Sequence, residues 1–268
     1  VAASEANEER YSSPHYLATY LQAEWGDILY PPDNPALGSS VLWQDNSAAG
    51  GPGYFYVTAA SLAHSWAAEK GIECRRICDI GGGTGRMCYE LAQRFDEPRE
   101  LVLVEPSTQF STWARQLLLG DPEFDRWIPV PDGFESPSYM QVPATNLPEP
   151  IPDVIIYKVA AEDTPRPAGF FDMITCLNVI DRVAHPREMI NTLGALLRTG
   201  GLLVLADPLH FEDQFTERSA WVQDLKELFD PERWRIDGRE ADVKYTFLHY
   251  RRRLNCYLSQ VVGAEKLK

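Results

Sequence analysis

Arg76-Ile77-Cys78-Asp79-Ile80-Gly81-Gly82-Gly83-Thr84-Gly85-Arg86 is the stretch whose reading decides the fold. Apolar residues run into a glycine cluster, and a helix-compatible run from Met87 to Phe95 follows. Strand, tight turn and helix in that order open an α/β nucleotide-binding unit. Glycines there let backbone approach a ligand and adopt φ values that a Cβ forbids. A dinucleotide fingerprint places them at the first, third and sixth positions. Gly81, Gly83 and Gly85 instead fall at the first, third and fifth, with Arg86 in the sixth. Asp79, two residues before the first glycine, suits a cationic amino group better than a pyrophosphate.

A second acid extends the pattern. Leu101-Val102-Leu103-Val104-Glu105 is a short apolar run ending in a carboxylate, about 20 residues beyond the glycines, where an acid accepts from ribose hydroxyls. Asp-x-Gly-x-Gly-x-Gly followed by a strand-ending acid resembles the class I S-adenosylmethionine-dependent methyltransferases. The resemblance implies an α/β fold: a Rossmann-like, seven-stranded, mostly parallel sheet with helices on both faces. It implies S-adenosylmethionine as cofactor, held by Asp79, Gly81, Gly83, Gly85 and Glu105. Glu162 or Asp163, after the third strand, would accept from the adenine amine, and Asn178, after the fourth, would complete the set.

Composition narrows the partners. The chain carries 25 Lys and Arg against 39 Asp and Glu, a net charge of −14. That surface repels phosphate backbones, so a small-molecule substrate is expected, with no nucleic acid. The one basic cluster, Arg251-Arg252-Arg253, is thin. Five cysteines are scattered, and no Cys-x-x-Cys pair or His-rich tract suggests a metal. No secretory segment or apolar run of membrane-spanning length occurs, so a cytoplasmic monomer or homodimer, with no membrane partner, is the expectation.

Residues 1–71 read as an N-terminal helical cap and 72–268 as the cofactor-binding core, with an inserted cap segment at 120–152. Val1 to Arg10 is polar and read as frayed. Tyr16, Leu17, Tyr20, Leu21 and Trp25 share one face of a helix that Gly26 should end and Pro31-Pro32-Asp33-Asn34-Pro35 cannot continue. A loop from Trp43 to Gly53 leads to a helix over Tyr54–Lys70, with Gly71 just past its end. Ser107 is a plausible N-cap. The proline-rich segment from Gly120 to Pro152 interrupts the βα rhythm and reads as a second cap over the active site. Phe171–Asn178 and Leu202–Ala206 read as the fourth and fifth strands. Pro186–Leu197 is a helix ended by Thr199-Gly200-Gly201, Ser219–Phe229 another, and Arg233 to Val262 a closing antiparallel pair.

Residues after the fourth and fifth strands face the transferred methyl: Asn178, Asp181, Arg182, Asp207 and His210. Leu177-Asn178-Val179-Ile180 lacks the Asn-Pro-Pro-Tyr-type tetrad of nucleobase aminomethylators. Leu177 to Val183, Leu203 to Pro208 and Phe215-Thr216-Glu217-Arg218 resemble the methyltransferase domain of ovothiol biosynthesis enzymes. So do Tyr20 to Asp27 and Arg251 to Leu254. The likeness implies methylation of an imidazole nitrogen of a histidine derivative. Two departures stand where substrate should lie: Pro208-Leu209-His210-Phe211, where that family has Pro-Tyr-Thr-Trp, and Leu248-His249, where it has Arg-Glu. An indole acceptor, such as a tryptophan-containing cyclic dipeptide, therefore competes, as does an inactive methyltransferase fold serving as a binding subunit. His210, His249 and Tyr20 are the candidate catalytic groups. Tyr16, Trp25, Tyr30, Asp181, Arg182 and Phe211 are the candidate substrate contacts.

Overall fold

The structure is a computed structural model that describes residues 12–30, 50–95, 98, 100–120, 126–133, 136–151, 153–250 and 252–268. The tail Val1–Arg10, the stop at Pro31–Pro35, most of the Trp43–Gly53 loop and Arg251 lie outside the described residues.

Five parallel strands form most of one seven-stranded sheet: β1 (Arg76–Ile80), β2 (Glu100–Val104), β5 (Val154–Tyr157), β6 (Phe171–Leu177) and β7 (Leu197–Asp207). The order across it is β5-β2-β1-β6-β7-β9-β8, closed by the antiparallel pair β8 (Trp234–Tyr250) and β9 (Arg253–Lys266). Strand order reverses between β1 and β6, so a crevice opens beyond the C-terminal strand ends there. Side-chain alternation splits the core into two layers. Ile77, Leu101, Leu103 and Met173 face one cluster; Cys78, Val102, Val104 and Ile174 face the other.

The first layer is covered by α1 (Pro14–Leu29), α2 (Tyr54–Lys70), α3 (Arg86–Arg94) and α4 (Thr108–Leu119). The second is covered by α5 (Pro186–Leu196) and short turns near Leu225–Leu228. Gly71 ends α2 in the left-handed region (φ 62°), with the Ile72 N–H on the Ala67 carbonyl. Ser107 caps α4 by accepting from the Phe110 N–H.

Several local expectations are corrected. Gly26 does not end α1, which runs to Leu29 with Gly26 packed against the Pro52 ring. Thr199-Gly200-Gly201 is not a helix terminus. It lies within β7, at a register shift opposite Phe171–Met173, with Gly200 left-handed (φ 72°). Ser219–Phe229 forms two 3₁₀ turns, Arg218–Ala220 and Leu225–Leu228, rather than a helix. The second turn starts with a capping box, Asp224 and Glu227 satisfying each other's backbone N–H. Within the 120–152 segment, read above as a cap, β3 (Trp127–Val130) pairs with β4 (Ser138–Gln141), and β3 packs on α1. The Tyr30 hydroxyl donates to the Pro129 carbonyl across that contact (3.4 Å).

Candidate active site

The glycine turn is built as its spacing demands. Gly81, Gly83 and Gly85 all sit at positive φ (69°, 55° and 99°), the region in which a Cβ is strained. The N–H groups of Gly81 and Gly82 both donate to the Val104 carbonyl (2.8 and 3.3 Å), locking the turn to the end of β2. A Cβ on Gly81 would collide with Val179, and one on Gly82 would stand 2.8 Å from Asp79 Oδ2.

Two carboxylates frame this turn. Asp79 is 1% exposed; Thr175 Oγ1 donates to its Oδ1 (2.7 Å), and its Oδ2 is buried without a hydrogen bond. Glu105 accepts from the N–H groups of Gly83 (3.0 Å) and Ser107 (2.8 Å). Burial pushes both carboxyls up to about 7, against the hydrogen bonds they accept. A buried anion with an idle oxygen is a favourable partner for an ammonium group, whose charge would draw the proton off again. A backbone cradle without side chains, an orphaned acid at its foot and a second acid at the end of β2 fit an aminoacyl nucleoside such as S-adenosylmethionine. Glu162 and Asp163 lie on a 3₁₀ turn after β5, Ala161–Asp163, and both are exposed.

A second set of residues clasps the turn from α1. Glu24, 2% exposed, accepts from the Thr84 N–H (3.1 Å) and hydroxyl (2.6 Å). Thr84 Oγ1 in turn accepts from Trp25 Nε1 (2.9 Å). Arg86, 2% exposed, donates to both oxygens of Asp27 (2.5 and 2.7 Å), to the Glu24 carbonyl (2.5 Å) and to Glu90 (2.8 Å). Burial lifts the Glu24 carboxyl to about 8, the Thr84 bonds working against it. Trp25 is therefore a fully buried strut between helix and turn, not an exposed aromatic wall. Sequence reasoning missed Glu24, Asp27 and Thr84, because nothing local says that a helix 60 residues upstream lands on the glycines.

Beyond the ends of β6 and β7 lies a cavity of 390 Å³. The first half of α1 contributes His15, Tyr16, Thr19 and Tyr20. The strand ends contribute Asn178, Asp181, Arg182, Pro208, His210 and Glu212. The β8–β9 hairpin supplies the third wall by its pleat: Tyr245, Phe247 and His249 on one strand, Arg253, Asn255 and Tyr257 on the other. These are alternate residues on one face, with Tyr245 paired to Tyr257 and Phe247 to Asn255. Period-two alternation over 245–257 was the available signal for this wall. Tyr20 stands between Phe110 and Phe247 (ring centroids 4.9 and 5.0 Å).

The structure thus brings Tyr16, Tyr20, Asn178, Asp181, Arg182, His210 and His249 to one cavity and leaves three expected contacts out of it. Trp25 is spent on Thr84. Tyr30, 4% exposed, is core against the hairpin. Phe211, 8% exposed, stacks on Trp221 (5.8 Å, 14°). Asp207 is fully buried, its oxygens accepting from the N–H groups of Asp181 (3.2 Å) and Leu209 (2.8 Å). Leu248, one of the two departures in Leu248-His249, is 6% exposed and does not line the cavity.

Among the described residues no cluster of metal-ligating side chains occurs, and no helix is long and apolar enough to cross a membrane. Cys74, Cys78, Cys88 and Cys176 are buried as free thiols.

Comparison with known proteins agrees with this geometry. The chain is similar to the structure of YcgJ from Bacillus subtilis, with a TM-score of 0.51 at 14% identity over 79% of this chain and 99% of that one. It is also similar to PH1948 from Pyrococcus horikoshii, with a TM-score of 0.51 at 12% identity over 82% and 88%. Identities this low speak for the fold alone. A search of curated protein sequences finds no match. A family model described as a methyltransferase domain matches residues 53–254, from the start of α2 into β9. With most of its length so matched, the chain belongs to the methyltransferase domain family and is a methyltransferase that uses S-adenosylmethionine.

Proposed function

We propose that the protein transfers a methyl group to a ring nitrogen of a small nitrogen heteroaromatic, an imidazole nitrogen of a histidine derivative being the leading case. The observation that carries this is the cavity beyond β6 and β7. Its 390 Å³ lies within the roughly 300–1,000 Å³ of small-molecule sites, and its walls combine five Tyr and Phe rings with polar groups of both charges. Tyr16, Tyr20, Tyr245, Phe247 and Tyr257 supply flat apolar surface, while Asn178, Asp181, Arg182 and Arg253 supply orienting groups. The resemblance to ovothiol-type methyltransferase domains favours imidazole over other rings. Leu248 was one motive for an indole acceptor, and its absence from the cavity lining weakens that alternative. The net charge of −14 argues against a nucleic-acid substrate.

When bound, S-adenosylmethionine supplies a methyl already activated by its sulfonium. The chain's part is positioning and exclusion of water. Asp79 would receive the amino group, Glu105 the ribose, and α1 would close over both. A competition assay with labelled cofactor tests the reading, using thiohistidine, histidine, tryptophan, tryptophan-containing cyclic dipeptides, simple carboxylates and bulk RNA. Imidazoles should win. A win for the dipeptides moves the assignment to indoles, and a win for carboxylates or RNA overturns the heteroaromatic reading. Tight S-adenosylhomocysteine binding with no turnover on any acceptor would instead mark a binding subunit.

A further inference from the structure

Three buried side-chain atoms among the cavity residues have no hydrogen-bond partner: His15 Nδ1 on α1 and, on the strand-end residues Asn178 and Asp181, the donor Asn178 Nδ2 and the acceptor Asp181 Oδ2. Both residues are held firmly by the strand ends. Asn178 Oδ1 accepts from Ser259 Oγ (3.0 Å), and its N–H donates to the Ala206 carbonyl (2.7 Å). Its φ of 56° lies in the left-handed region, which asparagine enters more readily than most non-glycine residues. Asp181 is 1% exposed, and Asp207 beneath it pins the turn by accepting the Asp181 N–H (3.2 Å). Arg182 Nη2 stands 3.6 Å from Asp181 Oδ2, outside hydrogen-bond range, and that guanidinium also serves Glu212 (3.0 Å) and the His210 carbonyl (3.1 Å). Leaving buried polar atoms unmatched is costly, so these two are complementary to a ligand that brings them partners.

We propose that Asp181 takes the proton from the methyl acceptor, and that Asn178 and Asp181 together select a ring that presents an N–H and a separate lone pair. This rests on the heteroaromatic reading above. A neutral azole nitrogen attacks the methyl carbon with its lone pair. The new nitrogen–carbon bond forms as the carbon–sulfur bond breaks, and the sulfur keeps that electron pair as a neutral thioether. As the ring gains positive charge in that step, its N–H proton shifts to the Asp181 carboxylate, which leaves a neutral N-methyl product. The histidines are less suited to this step. His210 is exposed, with its ring against Tyr257 (5.5 Å), and His249 is half-buried on the hairpin. His15 Nδ1 is unmatched too, but burial lowers its pKa and so its basicity, which leaves Asp181 as the cavity's enclosed, unmatched carboxylate.

The charges around Asp181 define its pH behaviour. Burial raises its carboxyl above the ordinary range, Arg182 and the His210 backbone N–H oppose that, and Glu212 adds to it. Asp207 lies directly behind it, while His15, His210, His249 and Arg253 face the same cavity. The carboxylate is the active form, so turnover should fall as pH drops through that raised pKa.

The test is calorimetry on protein saturated with S-adenosylhomocysteine, using benzimidazole and 1-methylbenzimidazole as probes, alongside turnover on the winning acceptor. Wild type should bind benzimidazole at least about tenfold more tightly, the worth of one charge-assisted hydrogen bond. Asp181→Asn should erase most of that preference, lower kcat by roughly 10²–10⁴ and remove its share of the acid limb, with S-adenosylhomocysteine affinity unchanged. His210→Ala and His249→Ala should leave the probe preference intact. Equal affinity of wild type for the two probes overturns the proposal, and so does a near wild-type kcat in Asp181→Asn with only KM raised. Should Asp181→Asn fail to bind S-adenosylhomocysteine, and so fail to fold, the wild-type probe comparison decides alone. If wild type neither binds nor methylates any azole, the heteroaromatic reading falls. Azole methylation indifferent to Asp181 removes this proposal and leaves that reading standing.

Discussion

The glycine turn and the acceptor cavity lie at the same end of one sheet and are made in opposite ways. The turn's own residues, Asp79 to Arg86, are consecutive in sequence, and its geometry follows from three left-handed glycines and one backbone acceptor, the Val104 carbonyl. The cavity draws on α1, two strand-end loops and both strands of the β8–β9 hairpin, segments that span 15 to 257 in the chain. The turn has a single solution because its constraints are backbone conformations. The cavity's chemistry depends on which side chains the tertiary fold happens to aim inward. Helix α1 joins the two regions: its second half clasps the turn through Glu24, Trp25 and Asp27, and its first half walls the cavity. A helix shared in this way joins the turn and the cavity in one rigid element.

The largest expected effect is from breaking that joint. Arg86→Met leaves Asp27 without its bidentate partner and Glu90 with only Arg94. Removing one partner of a buried ion pair costs about 3–5 kcal/mol. Urea unfolding should show that loss, and protease should cut within 12–30 faster than in wild type. A loss under about 1 kcal/mol would mean the clasp is ornamental.

Next in size, Asp79→Ala and Glu105→Ala should each weaken S-adenosylhomocysteine binding at least about tenfold by calorimetry, one charge-assisted hydrogen bond being worth roughly 1.5–3 kcal/mol. Affinity within twofold of wild type for both variants would remove the turn from the cofactor site. The cavity should respond separately. Tyr20→Ala and Phe247→Ala each remove one member of an aromatic pair worth about 0.5–1.5 kcal/mol beyond area. They should raise the acceptor KM several-fold while S-adenosylhomocysteine affinity holds. Parallel losses of both ligands would show that the two regions are one site.

The smallest effect concerns pH. Glu24, Asp79 and Glu105 have folded pKa values raised to about 8, 7 and 7, above unfolded values near 4.5, 3.8 and 4.5. The folded state holds more protons than the unfolded state between those limits, so stability present at acid pH is lost as pH rises through 7 to 8. The cofactor-free protein should melt a few degrees lower at pH 8 than at pH 6, about 2–4 °C being the equivalent of 1 kcal/mol for a chain this long. Glu24→Gln should flatten part of that slope, and saturating S-adenosylmethionine should flatten more of it. A melting temperature that rises from pH 6 to 8 would contradict the burial of these acids.

Misreadings cluster where long-range packing overrides local preference. Gly26 looks like a helix stop, but packing against Pro52 and the clasp at Asp27 carry α1 another turn. Ser219–Phe229 has helical composition, yet Leu225 and Leu228 are drawn into the second core layer as a 3₁₀ turn. Trp25 and Tyr16 sit on neighbouring stretches of one helix and looked equivalent in sequence. One is wholly buried under the glycine turn and the other lines the cavity, a difference set by what each half of α1 meets.

The sequence by itself determined the strand, the glycine turn and the two acids that frame it, because those follow from alternation, backbone sterics and short spacing. It also determined that the C-terminal segment pairs antiparallel, since alternating runs joined by a short connection have few other options. Only the tertiary structure decided that α1 grips Thr84 and Arg86, that α1 and the β8–β9 hairpin wall one cavity, and that Asn178 Nδ2 and Asp181 Oδ2 are left buried and unmatched. The grip of α1 joins residues 59 to 62 positions apart, and no local rule of periodicity or capping reaches that far.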